Sequence, residues 1–227
     1  MSKRVQVLII GICFLFLFTV FSYSIGHGAF RTVDFAFTVK VQEAIDKSPR
    51  LRLSRLVGEV MEGSTFFASP EVSVVVVIIL TGLCMYDFQK KKIRWIALII
   101  PLLFFVLVMG EVYGKTVVHH PAPPFFMIKN PTSIFPKYYI NDQFSYPSGH
   151  AARAVFITCM FSYLVLRASY LTRKRRIIGS ILVGALYIGL VSVSRIYLGH
   201  HWLSDIVGGL FLGGGLGILA SSFLPSH

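Results

Sequence analysis

The sequence carries little charge, and it carries especially little negative charge. Asp and Glu number 10 against 22 Lys and Arg, and charged residues make up only 14% of the 227-residue chain. Soluble domains contain about a quarter charged residues, so this deficit argues against a soluble globular protein. Cysteine is also scarce, and Cys13, Cys84 and Cys159 each lie inside an apolar run. This placement indicates small buried hydrophobic residues and argues against a disulfide framework.

Apolar residues are abundant and occur in long continuous runs. They account for 55% of the chain, and the mean hydropathy is +0.70. A membrane-spanning helix requires about 20 mostly apolar residues. The sequence therefore predicts an all-α protein, a six-span transmembrane helical bundle that forms a single domain over residues 1–227. The predicted spans are residues 5–25, 64–86, 95–114, 151–171, 177–194 and 202–224, the second of which is interrupted by Pro70 and Glu71.

Basic residues cluster in the short segments beside these runs. The clusters fall on one side of a six-span bundle, and the positive-inside rule makes that side cytoplasmic. We therefore expect a multi-pass protein of the cell membrane, with cytoplasmic termini and membrane lipids as its surroundings. The clusters account for much of the net charge of +12, so no nucleic-acid partner is expected. They are Lys3–Arg4, Lys90–Lys92 with Arg94, and Arg173–Arg176.

Two long connections lie on the opposite side of the predicted bundle. Residues 26–63 include a stretch, 48–57, in which apolar and basic residues alternate irregularly. This pattern is typical of an interfacial helix along the lipid headgroups, with a solvated loop as the alternative. Residues 115–149 hold six of the ten prolines, which argues against a regular helix or a central strand there.

Polar and ionisable residues stand at the ends of four predicted spans, and the six-span plan brings these four ends to one membrane face. Such residues are costly at membrane depth and mark functional sites by default. Each cluster alone has a plain structural explanation, but their convergence predicts an active site at this face. They are Lys115 ending the third span, Pro147-Ser148-Gly149-His150 opening the fourth, Ser194-Arg195 ending the fifth, and His200-His201 with Asp205 opening the sixth.

Several of these residue types suit the binding of a phosphate group. Phosphoryl transfer requires cations and preorganised N–H donors around the anionic oxygens. Lys115 and Arg195 supply cations, and the guanidinium group offers a bidentate fork. Ser148 and Gly149 lead directly into the fourth helix, whose N-terminus is suited to anion binding. We therefore expect these four residues to bind substrate phosphate.

The histidines suit a nucleophile and an acid. His201 and Asp205 are four residues apart, so they share one face at the start of the sixth helix. A carboxylate that accepts from one ring nitrogen fixes the tautomer and leaves the other nitrogen as nucleophile. His150 is then available as general acid toward the leaving alkoxide.

These motifs resemble the type 2 phosphatidic acid phosphatase (PAP2) superfamily of membrane-bound lipid phosphatases. That family has three motifs: K-x6-R-P, P-S-G-H and S-R-x5-H-x3-D. The second stands here as Pro147–His150, and the third is complete from Ser194 to Asp205. The resemblance implies a phosphohistidine on His201, no metal or other cofactor, and a lipid phosphate or diphosphate substrate. Phosphatidic acid, phosphatidylglycerophosphate, polyprenyl diphosphate and lipid A are all compatible with it.

The first motif departs from the family pattern. Counting from Lys115, Pro123 matches, but Ala122 stands where the family has arginine. Loss of a bidentate phosphate contact in a dry site costs a few kcal/mol. Another cation replaces it, or the substrate arranges its phosphate differently, or the protein binds a lipid phosphate with weak or no turnover.

Candidates for a replacement cation lie nearby in the sequence. Arg153 falls one helical turn after His150, which places it within reach of the predicted site, although a contact with headgroups is the alternative. His119 or His120 could serve when protonated.

The sequence is also compatible with two other activities and with a metal site. A phosphohistidine can pass its phosphoryl group to an acceptor other than water, which would make the protein a phosphotransferase. The same phosphate cradle occurs in vanadate haloperoxidases, although membrane spans weigh against that activity. A metal site is the third alternative, and its candidate ligands are His119, His120, His150, His200, His201 and Asp205.

Overall fold

The computed structural model describes residues 2–47, 51–87, 91–129, 143–167 and 172–225. Most of these residues are helical, which confirms the all-α prediction. A short antiparallel hairpin pairs β1 (Tyr86–Asp87) with β2 (Lys92–Ile93), and 3₁₀ turns cover Trp95–Leu98 and Phe125–Met127. The α-helices in the described ranges are α1 Lys3–Gly26, α2 Arg31–Asp46, α3 Leu51–Phe66, α4 Pro70–Met85, α5 Ile99–Val117, α6 Gly149–Arg167, α7 Arg173–Tyr197 and α8 Leu203–Phe223.

Five helical segments in the described ranges are long and apolar enough to cross a membrane. They correspond to α1, α5 with its preceding 3₁₀ turn, α6, α7 and α8. A sixth crossing is formed if Leu56–Phe66 and α4 act as one span, because together they pass the same test with a bend of 54°. The chain is therefore a multi-pass membrane protein, with five or six candidate spans among the residues that the structure describes.

The structure divides the predicted second span, residues 64–86, next to the expected interruption at Pro70 and Glu71. Residues 64–66 belong to α3, and α4 begins only at Pro70. The side chain of Ser69 caps α4 by accepting from the amide of Val72 at 3.4 Å. Proline lacks the amide that a continuous helix would need and is suited to the first turn, so the helix restarts there.

Other helix ends also differ from the predicted spans. The helix α5 continues through Val117, so Lys115 lies in its last turn. The helix α7 is longer than residues 177–194 at both ends and takes in the basic cluster Arg173–Arg176, which the sequence predicts to lie beside the fifth span and not within its helix. Basic side chains are long enough to reach the headgroups from a helix end, so they do not terminate the helix. Residues 168–171 of the predicted fourth span lie outside the described residues.

The two long connections differ in regular structure: the first is mostly helical, and the described part of the second is mostly irregular. Residues 26–63 hold α2 and most of α3, and residues 48–50 of the predicted interfacial helix lie outside the described residues. The helix α3 packs on α7, where the hydroxyls of Ser64 and Ser194 are 2.6 Å apart. The segment that follows Val118 is irregular up to residue 129, apart from the 3₁₀ turn, and residues 130–142 lie outside the described residues.

Close packing of α8 against α6 and α1 forms the centre of the bundle. Gly213 of α8 faces the backbone of α6, where a Cβ atom would stand 2.8 Å from the Cα atom of Ala152. Small residues allow membrane helices to approach this closely. The contact between α6 and α8 also brings the N-terminal ends of the two helices together.

We expect Gly213→Ala to destabilise the protein, because the methyl group would meet backbone that cannot rotate away. Overpacking of this kind costs roughly 1–3 kcal/mol, and it should lower the thermal unfolding temperature in detergent. Gly179→Ala in α7 is the matched control, since no atom lies within 4 Å of a Cβ at that position. Equal melting of the two variants would contradict this account of the α6–α8 contact.

Candidate active site

The N-terminal ends of α6 and α8 are joined by a hydrogen bond. The amide of Ser148 donates to the backbone carbonyl of Asp205 at 2.9 Å. The hydroxyl of Ser148 accepts from the amide of Ala151 at 3.5 Å. Of the free N–H groups expected at this helix N-terminus, the amide of Ser148 is thus already bonded within the protein.

Asp205 and His201 form a pair at the start of α8. Oδ2 of Asp205 lies 3.4 Å from Nδ1 of His201 and accepts from the amide of Trp202 at 2.8 Å. Asp205 is fully buried, and His201 is 6% exposed. Burial lowers the pKa of His201 below its usual value, although the Asp205 contact opposes this shift. The ring is therefore neutral near pH 7. Asp205 approaches Nδ1 but makes no hydrogen bond with it in this structure, and Nε2 is the other ring nitrogen.

His150 lies in the same cluster, at the second residue of α6. Its ring is near enough to Arg195 and Arg153 to interact with their charges, and near enough to His201 to interact with that ring when it is protonated. Nη2 of Arg153 is 3.4 Å from Nδ1 of His150. The two histidines predicted to act together are therefore brought together by the fold.

Arg195 is a buried cation with unused donors. It is 3% exposed, and its Nε and Nη2 atoms have no hydrogen-bond partner among the described residues. Leaving such groups unpaired in the interior is costly, and each one calls for an explanation such as a missing ion. The arrangement fits an anion with several oxygens that accepts from the guanidinium group.

Arg153 lies in the same cationic group and is also 3% exposed. Its Nη1 pairs with Oε2 of Glu111 at 2.6 Å, and its Nε donates to the carbonyl of Ala68 at 3.0 Å. That carbonyl lies at the break between α3 and α4, where the Ser69 cap takes the place of a regular helical bond. Arg153 therefore faces the site rather than the headgroups.

Glu111 is a site residue that the sequence reasoning missed. Besides Arg153, it approaches Lys115, whose Nζ is 3.7 Å from Oε1. Its carboxylate rests against Gly149, where any Cβ would overlap it. A carboxylate inside an apolar run, one turn before Lys115, was the available signal, since ionisable residues at membrane depth are costly.

The two histidines considered as replacement cations have different surroundings. His119 is exposed, has a φ of 52°, and its ring packs edge-on against Phe144. His120 is 3% exposed, and its Nδ1 lies 2.9 Å from Oδ1 of Asp205. Of the three candidates, only Arg153 contacts His150 and interacts with Arg195.

Asp34 of α2 was also missed, because no motif includes it. It is 2% exposed and accepts from the amide and the hydroxyl of Ser204 at 2.8 and 2.7 Å. Its Oδ2 is 3.7 Å from Nε2 of His120. Burial raises the pKa of Asp34 above its usual value.

The structure offers no support for the metal alternative within the described ranges. No three His, Cys, Asp or Glu side chains there are placed to hold one ion. Burial lowers the pKa of His200, one of its candidate ligands, to about 2. That ring is therefore neutral, and it lies close enough to Arg195 to interact with its charge.

A multi-pass helical bundle with two histidines beside buried arginines is consistent with an integral membrane phosphatase, and the comparisons with known proteins identify that class. The PAP2 superfamily model matches residues 95–226. Phosphatidylglycerophosphatase B of Bacillus subtilis is 28% identical over 172 residues, which cover 75% of this chain and 77% of that protein. An undecaprenyl-diphosphatase of Sulfolobus acidocaldarius is 31% identical over 132 residues, covering 57% and 56%.

A solved structure has the same fold. It is the crystal structure of a transmembrane PAP2-type phosphatidylglycerolphosphate phosphatase from Bacillus subtilis, with a TM-score of 0.69, 21% identity and 94% of each chain covered. The chain belongs to the PAP2 superfamily. It is a membrane-bound phosphate hydrolase of that family.

Proposed function

We propose that this protein releases phosphate from a lipid phosphate or diphosphate, without a metal ion, through a phosphohistidine on His201. The observation that carries the proposal is the buried guanidinium of Arg195, with two unpaired donor atoms, beside His201 and His150. The names of the two relatives support a lipid substrate that bears a phosphate monoester or a diphosphate. Phosphatidylglycerophosphate and a polyprenyl diphosphate are therefore the first substrates to test.

In the proposed reaction, Nε2 of His201 attacks phosphorus and the bond to the leaving oxygen breaks. His150 gives that oxygen its proton, so the lipid leaves as an alcohol, or as a monophosphate if the substrate is a diphosphate. Asp205 stabilises the positive charge that develops on the His201 ring. Water then attacks phosphorus, His150 takes its proton, and the P–N bond breaks to release inorganic phosphate.

The phosphate oxygens would be held by Lys115, Arg195 and Arg153, together with the hydroxyl of Ser148 and the backbone at Gly149. Arg153 supplies the cation that Ala122 does not provide. Its burial and its contact with His150 support this assignment. The pairing of Glu111 with Arg153 and Lys115 balances the positive charge of the site in the absence of substrate.

We further propose that the protein resides in the cell membrane with cytoplasmic termini and an extracytoplasmic active site. Arg4 at the start of α1 donates to the carbonyls of Ser222 and Phe223 at the C-terminal end of α8. The cluster Arg173–Arg176 begins α7, whereas Arg195 lies in the last turn of that helix. Short segments with this many cations are retained on the cytoplasmic side.

The covalent intermediate can be trapped. His201→Ala should release no phosphate and take up no label from a 32P-labelled substrate, with EDTA present throughout. His150→Ala should lose roughly 10²–10⁴-fold on a lipid alkyl phosphate, but far less in phosphorylation by p-nitrophenyl phosphate, whose leaving group needs no proton. It should accumulate an acid-labile, base-stable phosphoprotein. Turnover by the His201→Ala variant would refute the mechanism, and tight lipid binding without turnover in the wild type would favour a binding protein.

The role of Arg153 predicts similar losses for two arginines on different helices. Arg153→Gln and Arg195→Gln should each lower kcat/KM by roughly 10²–10³-fold, as removal of one preorganised donor to a developing anion does. Arg167→Gln is the matched control at the other end of α6, where Arg167 bonds to the hydroxyl of Tyr163. Unfolding temperatures are measured in parallel. Full activity of the Arg153→Gln variant would show that Arg153 does not replace the arginine that the family has at the position of Ala122.

Orientation is tested by labelling single cysteines in intact cells, after Cys13, Cys84 and Cys159 are replaced by alanine in an active background. Cysteine in place of Phe125, which is 85% exposed near the site end of the bundle, should react with a membrane-impermeant maleimide. Cysteine in place of Arg173 should react only after permeabilisation. The reverse pattern would place the active site in the cytoplasm.

A further inference from the structure

Asp205 is contacted by a second histidine that the proposed mechanism does not use. Its Oδ2 faces His201 and the amide of Trp202, whereas its Oδ1 lies 2.9 Å from Nδ1 of His120. His120 is 3% exposed and Asp205 is fully buried. Two imidazole rings therefore approach opposite oxygens of one buried carboxylate.

The far side of the His120 ring meets another buried carboxylate. Nε2 of His120 is 3.7 Å from Oδ2 of Asp34, which is itself held by the amide and hydroxyl of Ser204. Two carboxylates this deeply buried repel each other unless a donor or a cation lies between them. His120 occupies that place: its Nε2 faces Asp34 at 3.7 Å, while its Nδ1 is within hydrogen-bond distance of Asp205.

The backbone on both sides of His120 is held by contacts with other segments. His119 turns the chain at the end of α5 with a φ of 52°. The carbonyl of His120 accepts from the amide of Ser145 at 3.0 Å, and the next carbonyl, of Pro121, accepts from the Trp202 indole at 2.7 Å. The backbone at His120 is thus held next to Trp202, and the ring contacts Asp205.

We propose that His120 is a positioning residue for phosphoryl transfer. Its Nδ1–H holds Oδ1 of Asp205, so that Oδ2 stays directed at Nδ1 of His201 while the ring attacks phosphorus. The proposal rests on the proposed function, because it requires His201 to be the nucleophile. It differs from the expectation that His120 replaces the missing arginine, since the ring contacts Asp205 rather than the cationic group.

This role predicts a loss in the chemical step and little change in substrate binding. Without the donor, a buried oxygen of Asp205 is left unpaired, and the carboxylate can rotate away from His201. Partners of this kind that orient a functional side chain typically contribute roughly 10–100-fold. The ion pairs of the His120 ring in the described structure go to Asp205 and Asp34 and not to the residues assigned to the phosphate, so KM should stay within about two-fold of the wild type by the uniform-binding argument.

The experiment compares two substitutions with a neighbouring control. His120→Leu removes the donor and should lower kcat about 10–100-fold, whereas His120→Asn keeps an N–H near the position of Nδ1 and should recover most of it. His119→Asn is the matched control, because His119 is exposed and asparagine tolerates its positive φ. It should have wild-type kcat and KM.

A double-mutant cycle separates this role from a purely structural one. If His120 acts through Asp205, His120→Leu should cause no further loss of kcat in an Asp205→Asn background. Additive losses would overturn the proposal, as would a raised KM with weaker inhibition by orthovanadate, which would place His120 on the phosphate. A lowered unfolding temperature with unchanged kcat would also overturn it.

The cycle is read together with the His201→Ala variant. If His201→Ala retains turnover, the proposed function fails, and the His120 proposal fails with it. If His201→Ala is inactive and forms no phosphoenzyme while His120→Leu turns over normally, only the His120 proposal is lost.

Discussion

A carboxylate buried in an apolar helix bundle has to be fully paired, and the organisation of this site depends on how Asp205 meets that demand. Its side chain accepts a hydrogen bond from the amide of Trp202, faces His201, and lies within hydrogen-bond distance of His120. Its backbone carbonyl receives the amide of Ser148. Asp205 therefore fixes the start of α8 and holds the N-terminal end of α6 next to it. It also faces the histidine proposed as nucleophile.

Buried positive charge in a membrane protein also needs partners, and in this site the cations are only partly paired with acidic groups. Glu111 neutralises part of it by pairing with Arg153 and Lys115, whereas Arg195 keeps two donor atoms without partners in the described structure. An incompletely paired guanidinium in a buried site is unfavourable until an anion arrives. The break between α3 and α4 adds to this arrangement, because it supplies the Ala68 carbonyl that holds Arg153.

The features that could be predicted are those that depend on residue type and local spacing. Long apolar runs give membrane helices because the bilayer requires about 20 apolar residues for each crossing. The pairing of His201 with Asp205 follows from the four-residue helical repeat. Glu111 lay within reach of the same reasoning, as a carboxylate in an apolar run. The start of α4 did too, because Pro70 with Ser69 before it is a helix N-terminus.

The sequence by itself determined the helical membrane class, the helix ends that carry His150, Arg195 and His201, and the family motifs. Only the tertiary structure decided that Asp34 and His120 support Asp205, and that Arg153 rather than His119 joins the cationic group. The physical reason is that these contacts join segments distant in sequence. Asp34 and Asp205 are brought together by the packing of α2, α5 and α8, which no local pattern encodes.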